Sequence, residues 1–150
     1  MLTHIDHIAI VVPSIEAALP LYTAGLQLVH SGTEEVAGDQ VKVAFFQMGE
    51  SHLELVEPIG HSGVARFLER QGGGIHHVAF CSDAIEQDIA TLVRSGVEMI
   101  DPKPRRGSRG TLVAFAHPKT TGSTLMELVA YPPLQESSES PRANERSRSG

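Results

Sequence analysis

The sequence predicts an α+β fold in which two tandem βαβββ modules form a partly closed sheet around a metal-binding cavity. Three observations predict it: short apolar runs that alternate with period two, a helical stretch after the first strand of each half, and a pattern that restarts at Gly74. A chain of 150 residues, 41% hydrophobic, suits one compact domain or two small halves sharing a core.

Residues 2–12 are rich in β-branched side chains and read as a strand ended by Pro13. Ser14 is placed to cap a helix in which Ile15, Ala18, Leu19 and Tyr22 recur at helical spacing until Gly25. Pro20 lacks a backbone donor and should bend or shorten that helix. Strands follow at about 26–31, 40–48 and 52–57, which completes a first module over 1–57. Residues 58–74 form a connector with a short helix from Val64 to Arg70, released by Gly72-Gly73-Gly74. The second module, 75–131, opens with a strand at 75–81. Asp83 then caps a helix with Glu86 as its box partner, and strands follow at about 97–101, 111–116 and 124–130. Modules and connector together make a single domain over 1–131. The tail, 132–150, is Ser, Pro, Glu and Arg with almost nothing apolar, the composition of a disordered segment.

An offset of 70 residues makes the duplication explicit. His7 falls on His77, Ala9 on Ala79, Ile15 on Ile85, Glu16 on Glu86, and Val43-Ala44-Phe45 on Val113-Ala114-Phe115. At an offset of 73, Leu53-Glu54-Leu55-Val56 falls on Met126-Glu127-Leu128-Val129. An isolated pair of adjacent histidines such as His76-His77 is ordinarily a structural feature, but His77 has a counterpart in the other module and His76 has none. By strand alternation His7 shares a face with Ile5, Ala9 and Val11, His77 with Ile75, Ala79 and Cys81, and Glu54 with His52 and Val56. The opposite faces, with Leu53 and Leu55 or Met126 and Leu128, are apolar and suited to packing under helices.

Each sheet half therefore carries one His and one Glu on its second face. Burying an unpaired carboxylate costs several kcal/mol, and two facing each other cost more. A divalent cation held by His7, Glu54, His77 and Glu127 gives a neutral site and removes that difficulty. Mixed nitrogen and oxygen donors suit Co, Mn, Ni or Zn better than Ca. Four protein ligands leave an octahedral ion two positions for chelating a substrate through two oxygens, so the predicted chemistry is proton abstraction next to a carbonyl. Ala9 and Ala79 leave space for the substrate. The competing reading is a pair of structural His–Glu hydrogen bonds.

Net charge is −6, which disfavours a nucleic-acid binder. Five of the twelve basic residues nevertheless lie in one acid-free interval, at Lys103, Arg105, Arg106, Arg109 and Lys119, and form an anion-attracting patch. No apolar run reaches the roughly 20 residues of a spanning helix, and the N-terminus lacks the build of a signal peptide, so no membrane partner and a cytoplasmic location are expected. The single cysteine, Cys81, excludes an internal disulfide framework and a multi-cysteine zinc site.

Five stretches together resemble the methylmalonyl-CoA epimerase family of the vicinal-oxygen-chelate superfamily, which also holds glyoxalases and bleomycin-resistance proteins. They are Ile5-Asp6-His7-Ile8-Ala9, Glu54-Leu55-Val56-Glu57-Pro58-Ile59-Gly60, Gly74-Ile75-His76-His77-Val78-Ala79-Phe80, His117-Pro118-Lys119-Thr120-Thr121-Gly122 and Met126-Glu127-Leu128. The resemblance covers residues 2–131. It implies interconversion of (2R)- and (2S)-methylmalonyl-CoA, a divalent metal on His7, Glu54, His77 and Glu127, Glu127 as one acid/base, and a homodimer. A second acid/base carried on the third strand in one family member does not carry over. Val41-Lys42-Val43 stands there, and Lys42 is the candidate replacement. The basic patch, with Lys103, Arg105, Arg106 and Lys119, would then hold the phosphates of the acyl-CoA substrate. Alternatives are a glyoxalase I-type isomerase acting on a glutathione hemithioacetal and a metal-free binding or resistance protein, although retention of all four ligands weighs against the latter.

Overall fold

The computed structural model describes residues 1–133, and all but its first two residues of the 132–150 tail lie outside the described residues. Eight strands form one curled sheet in the order β2-β3-β4-β1-β5-β8-β7-β6. The strands are β1 (Leu2–Val11), β2 (Val29–Val36), β3 (Val41–Met48), β4 (Ser51–Pro58), β5 (Gly74–Ser82), β6 (Arg105–Arg106), β7 (Leu112–Ala116) and β8 (Met126–Ala130). Helices α1 (Ile15–Pro20), α2 (Gly63–Gln71) and α3 (Ile85–Arg94) complete the fold. Each module places its first strand parallel to its last, β1 with β4 and β5 with β8, and the modules join through antiparallel β1 and β5. This is the predicted pair of βαβββ modules.

The helices follow the apolar faces read from the sequence. Ile15 of α1 packs with Ala44, Phe46 and Leu55 on the convex side of the first module. In the second, α3 places Ile85 and Ile89 against Ala114 and Leu128. The connector helix α2 goes to the other side, where Val64, Phe67 and Leu68 pack against Ala9, Val11, Val43, Phe45 and Val56.

Local departures from the expected elements have local causes. Ser14 caps α1, its side chain accepting from the Ala17 amide at 3.2 Å. After Pro20 the helix widens into a π-turn at Leu21–Gly25, closed by the Leu26 amide donating to the Leu21 carbonyl at 2.8 Å. That turn delays β2 to Val29. Asp83 does not cap α3, because it pairs with the N-terminal ammonium of Met1. The helix has no side-chain cap; Ser82 instead accepts from the amide of the preceding Ala84 at 3.2 Å and donates to Asp88 at 2.6 Å. The strand expected at 97–101 is reduced to a bridge between Met99 and Ala116, followed by the two-residue β6. Pro102 and Pro104 supply no donors to a ladder there.

Strands β1 and β5 depart from simple alternation in a matched way. Ile5 pairs with Phe80 and His7 with Ala79, so Asp6 is an extra residue on β1; Ala9 pairs with His77 and Ile10 with Ile75, so His76 is an extra residue on β5. These two bulges are 70 residues apart and exchange under the two-fold that relates the modules; a third shift, between Leu2 and His4, has no counterpart. Ile5 leaves the inner face and is 47% exposed.

Gly73 fastens the connector to β1. Its φ is +108° and a Cβ there would lie 2.7 Å from the Val11 carbonyl oxygen, so Gly73→Ala should lose at least about 1 kcal/mol in urea unfolding. Gly38→Ala, where a Cβ meets nothing within 4 Å, should stay within about 0.5 kcal/mol of the parent.

Candidate metal centre

The curled sheet encloses a cavity of about 720 Å³. His7, Glu54, His77 and Glu127 lie on its wall, and each is more than nine-tenths buried. The β1–β5 register sets His7 opposite Ala79 and His77 opposite Ala9, so each imidazole reaches inward beside a fully buried alanine. Glu54 arrives on β4 opposite Ala9, and Glu127 on β8 opposite Ala79.

The polar atoms converge closely. The Nε2 atoms of His7 and His77 are 3.1 Å apart, and they lie 3.1 and 2.8 Å from Glu127 Oε2. Glu54 Oε2 is 3.6 Å from His7 Nε2. Glu127 Oε2 is buried, and although both imidazoles lie close to it, it has no well-formed hydrogen bond. The two ring nitrogens have only each other, and the carboxylate oxygen facing them is left unpartnered. A cation among them would satisfy all, and the donor set is the one a borderline transition-metal ion takes.

The outer atoms of these residues are engaged. His7 Nδ1 lies 2.7 Å from Asp6 Oδ2, and His77 Nδ1 lies 2.8 Å from His76 Nδ1. Glu54 Oε1 lies 3.0 Å from Nε2 of His52, whose ring is 4.9 Å from that of His7. Burial works against a charge on His7, but the carboxylate of Asp6, with Glu127 and Glu54 beyond it, lifts its pKa to about 10. Burial would push Glu127 up, yet the nearby imidazoles of His7 and His77 hold it down at about 2. His76 is lowered to about 4, first by burial and then by the charge of His77, and stays neutral at ordinary pH.

The remaining sequence candidates are distributed less evenly. Lys42 does not line the cavity: it shares the convex face with Ala44 and Phe46, and its ammonium lies 3.7 Å from Glu57 across the β3–β4 pair. Strand parity is the reason, since Val41 and Val43 on either side of it point inward. Arg105 does line the cavity, within reach of Asp39 at 3.2 Å and Asp101 at 3.2 Å and over the Phe115 ring. Lys119 is exposed and pairs with Glu98 at 2.6 Å, while Lys103 and Arg106 lie on the surface, and none of these three lines the cavity. Arg109 and Arg70 do. The Arg109 guanidinium sits 5.0 Å from the Phe45 ring centroid, and its amide donates to Glu34 at 3.0 Å.

Sequence reasoning missed Asp6, His52 and the inward reach of His76. His52 was legible, being two residues from Glu54 on the same face. The other two owe their positions to the bulges, which no alternation pattern reveals.

The fold places the chain among proteins built from paired βαβββ modules. Residues 6–115 match the model of the Glyoxalase/Bleomycin resistance protein/Dioxygenase superfamily, and the chain belongs to it. An uncharacterized protein of Bacillus subtilis, YqjC, is 40% identical over 128 residues, covering 85% of this chain and 91% of its own. The ethylmalonyl-CoA/methylmalonyl-CoA epimerase of Cereibacter sphaeroides is 32% identical over 131 residues, covering 85% of this chain and 98% of its own. A variant of Streptomyces coelicolor methylmalonyl-CoA epimerase in complex with 2-nitronate-propionyl-CoA superposes with a TM-score of 0.85 at 34% identity, covering 89% of this chain and 97% of that one. Within the superfamily, then, the chain is a relative of the methylmalonyl-CoA epimerases, the group its motifs resemble.

The raised pKa of His7 has a measurable consequence. Below about pH 10 the metal-free protein carries a proton on His7 that a bound cation must displace. Loading should therefore release a proton, and apparent metal affinity should rise by about tenfold per pH unit between pH 7 and 9. Calorimetry in buffers of different ionisation enthalpy checks both. For the metal-free fold the sign is opposite: the stability contributed by protonated His7 is complete below its ordinary pKa of 6.5 and is lost as pH rises through about 10.

Proposed function

We propose that the protein is a divalent-metal-dependent epimerase that interconverts (2R)- and (2S)-methylmalonyl-CoA through proton abstraction at C2. The observation that carries this reading is the meeting of His7, Glu54 and His77 within 4.8 Å of one another on the cavity wall, with the buried Glu127 carboxylate against both imidazoles. His7, Glu54, His77 and Glu127 would hold the ion, one of Co, Mn, Ni or Zn. When bound, it supplies Lewis acidity toward the thioester and carboxylate oxygens flanking C2. The Cereibacter sphaeroides relative and the Streptomyces coelicolor complex support an acyl-CoA substrate.

The chain's own residues supply the rest. Glu127, an ionised carboxylate on the cavity wall, takes the C2 proton on one side of the substrate, leaving a planar enolate, and returns it. Inversion requires proton delivery to the other side as well, a role the position of Lys42 does not suit. Val41, Val43, Val113 and Phe115 line the cavity and exclude water around the reacting carbon. Arg70, Arg105 and Arg109 on the cavity wall are suited to the phosphates of coenzyme A, with Lys103, Arg106 and Lys119 as surface charge beyond them. A homodimer and a cytoplasmic location are part of the same proposal. Among the described residues no helix is long and apolar enough to cross a membrane.

Incubation of Co-, Mn-, Ni- or Zn-loaded protein with methylmalonyl-CoA in D2O should replace the C2 proton, followed by NMR. Absence of exchange with every ion, alongside turnover of the methylglyoxal–glutathione adduct, would replace the proposal with the glyoxalase reading. His7→Ala and Glu54→Ala should each lose metal by elemental analysis and lose exchange with it. Arg109→Ala should raise KM for the acyl-CoA by about tenfold or more while largely sparing kcat, an effect that shrinks in high salt.

A further inference from the structure

We infer that Asp6 and His76, brought inward by the paired bulges of β1 and β5, are positioning residues that make the two ligand histidines unequal: His7 is backed by a charge and His77 by a neutral group. The inference rests on the metal reading of the site and goes beyond it.

An imidazole that offers Nε2 to a cation carries its proton on Nδ1, and whatever accepts that proton fixes the tautomer, aims the ring and sets its basicity. For His7 the acceptor is Asp6 Oδ2, at 2.7 Å and 2% exposed. For His77 it is His76 Nδ1, at 2.8 Å. Two like nitrogens at that distance share one proton. With His77 donating, His76 accepts at Nδ1 and keeps its own proton on Nε2. The edge-on ring of Phe67, 4.9 Å away at 80°, packs against His76 and holds it in that pose.

Position 6 and position 76 are equivalent under the module two-fold, since Ile5–Phe80 and His7–Ala79 correspond to Ile75–Ile10 and His77–Ala9. The same backbone device therefore presents a carboxylate in one module and a neutral imidazole in the other. A carboxylate strengthens the hydrogen bond and draws the proton further from the ring, so His7 is the stronger electron donor of the two. Because an aspartate already reaches its neighbour's Nδ1 at position 6, the equivalent geometry admits one at position 76.

Two substitutions of opposite expected sign test this. Asp6→Asn keeps an acceptor and removes the charge, and should weaken Co or Zn binding by about 10- to 100-fold. His76→Asp supplies the missing charge and should tighten it. Both affinities are read by competition with a chromophoric chelator, after thermal unfolding has shown that the metal-free variants are folded. In the Co-loaded protein the two Nδ1–H protons should give separate paramagnetically shifted, solvent-exchangeable NMR signals, of which Asp6→Asn moves one and His76→Asp the other. An Asp6→Asn protein with parental affinity and both signals unmoved would overturn the inference, as would weaker binding by a folded His76→Asp. Parent protein that binds none of Co, Mn, Ni or Zn overturns the metal reading itself and the inference with it.

Discussion

The antiparallel pairing of β1 with β5 is the constraint on which the rest depends. Among the described residues it is the one strand pairing that joins the two halves of the sheet, and its register decides whether four polar side chains meet or scatter. A slip of one residue would turn His7 and His77 to the convex side, under the helices, and send apolar residues into the cavity. The bulges at Asp6 and His76 pin that register, because an extra residue must find its place on each strand. Ala9 and Ala79, each fully buried, lie opposite the two imidazoles.

Much of this was legible in the chain. A period of two in the strands, helical spacing in α1 and α3, and the 70-residue echo between the halves predicted the modules and singled out His7, Glu54, His77 and Glu127, which the fold brings to one cavity. The failures share a physical origin in events that break periodicity. The segment at 97–101 meets β7 at a single bridge before Pro102 and Pro104, and the N-terminal ammonium pairs with Asp83. Alternation assigns one face to each residue, so it could not foresee that Asp6 and His76 would join their neighbours inside. Lys42 is the converse case: alternation was informative there, and Val41 and Val43 pointing inward imply that the lysine points away.

Electrostatics divides the molecule between a deep site and its rim. Inside, carboxylates outnumber any formal cation of the protein, and the charges of Glu127 and Asp6 are tolerated only beside His7 and His77. At the rim the order reverses, with Arg70, Arg105 and Arg109 on a body that is otherwise acidic. Two of these arginines also close the structure. Arg105 belongs to the second module and reaches Asp39 of the first; the Arg109 amide does the same with Glu34. Both ends of the curled sheet are thus tied across the mouth by groups that also face the cavity.

The two-fold that relates the modules carries a further consequence for how such a site can be assembled and altered. One βαβββ unit holds one His and one Glu of the cavity cluster, and pairing such a unit with a copy of itself across the β1–β5 seam would present all four groups around a symmetry axis. In a self-paired assembly every change would appear twice. Joined in one chain, the halves vary singly: position 6 holds a charge where position 76 does not, and a helix links the halves on one side alone. Covalent fusion frees a two-fold arrangement to become asymmetric.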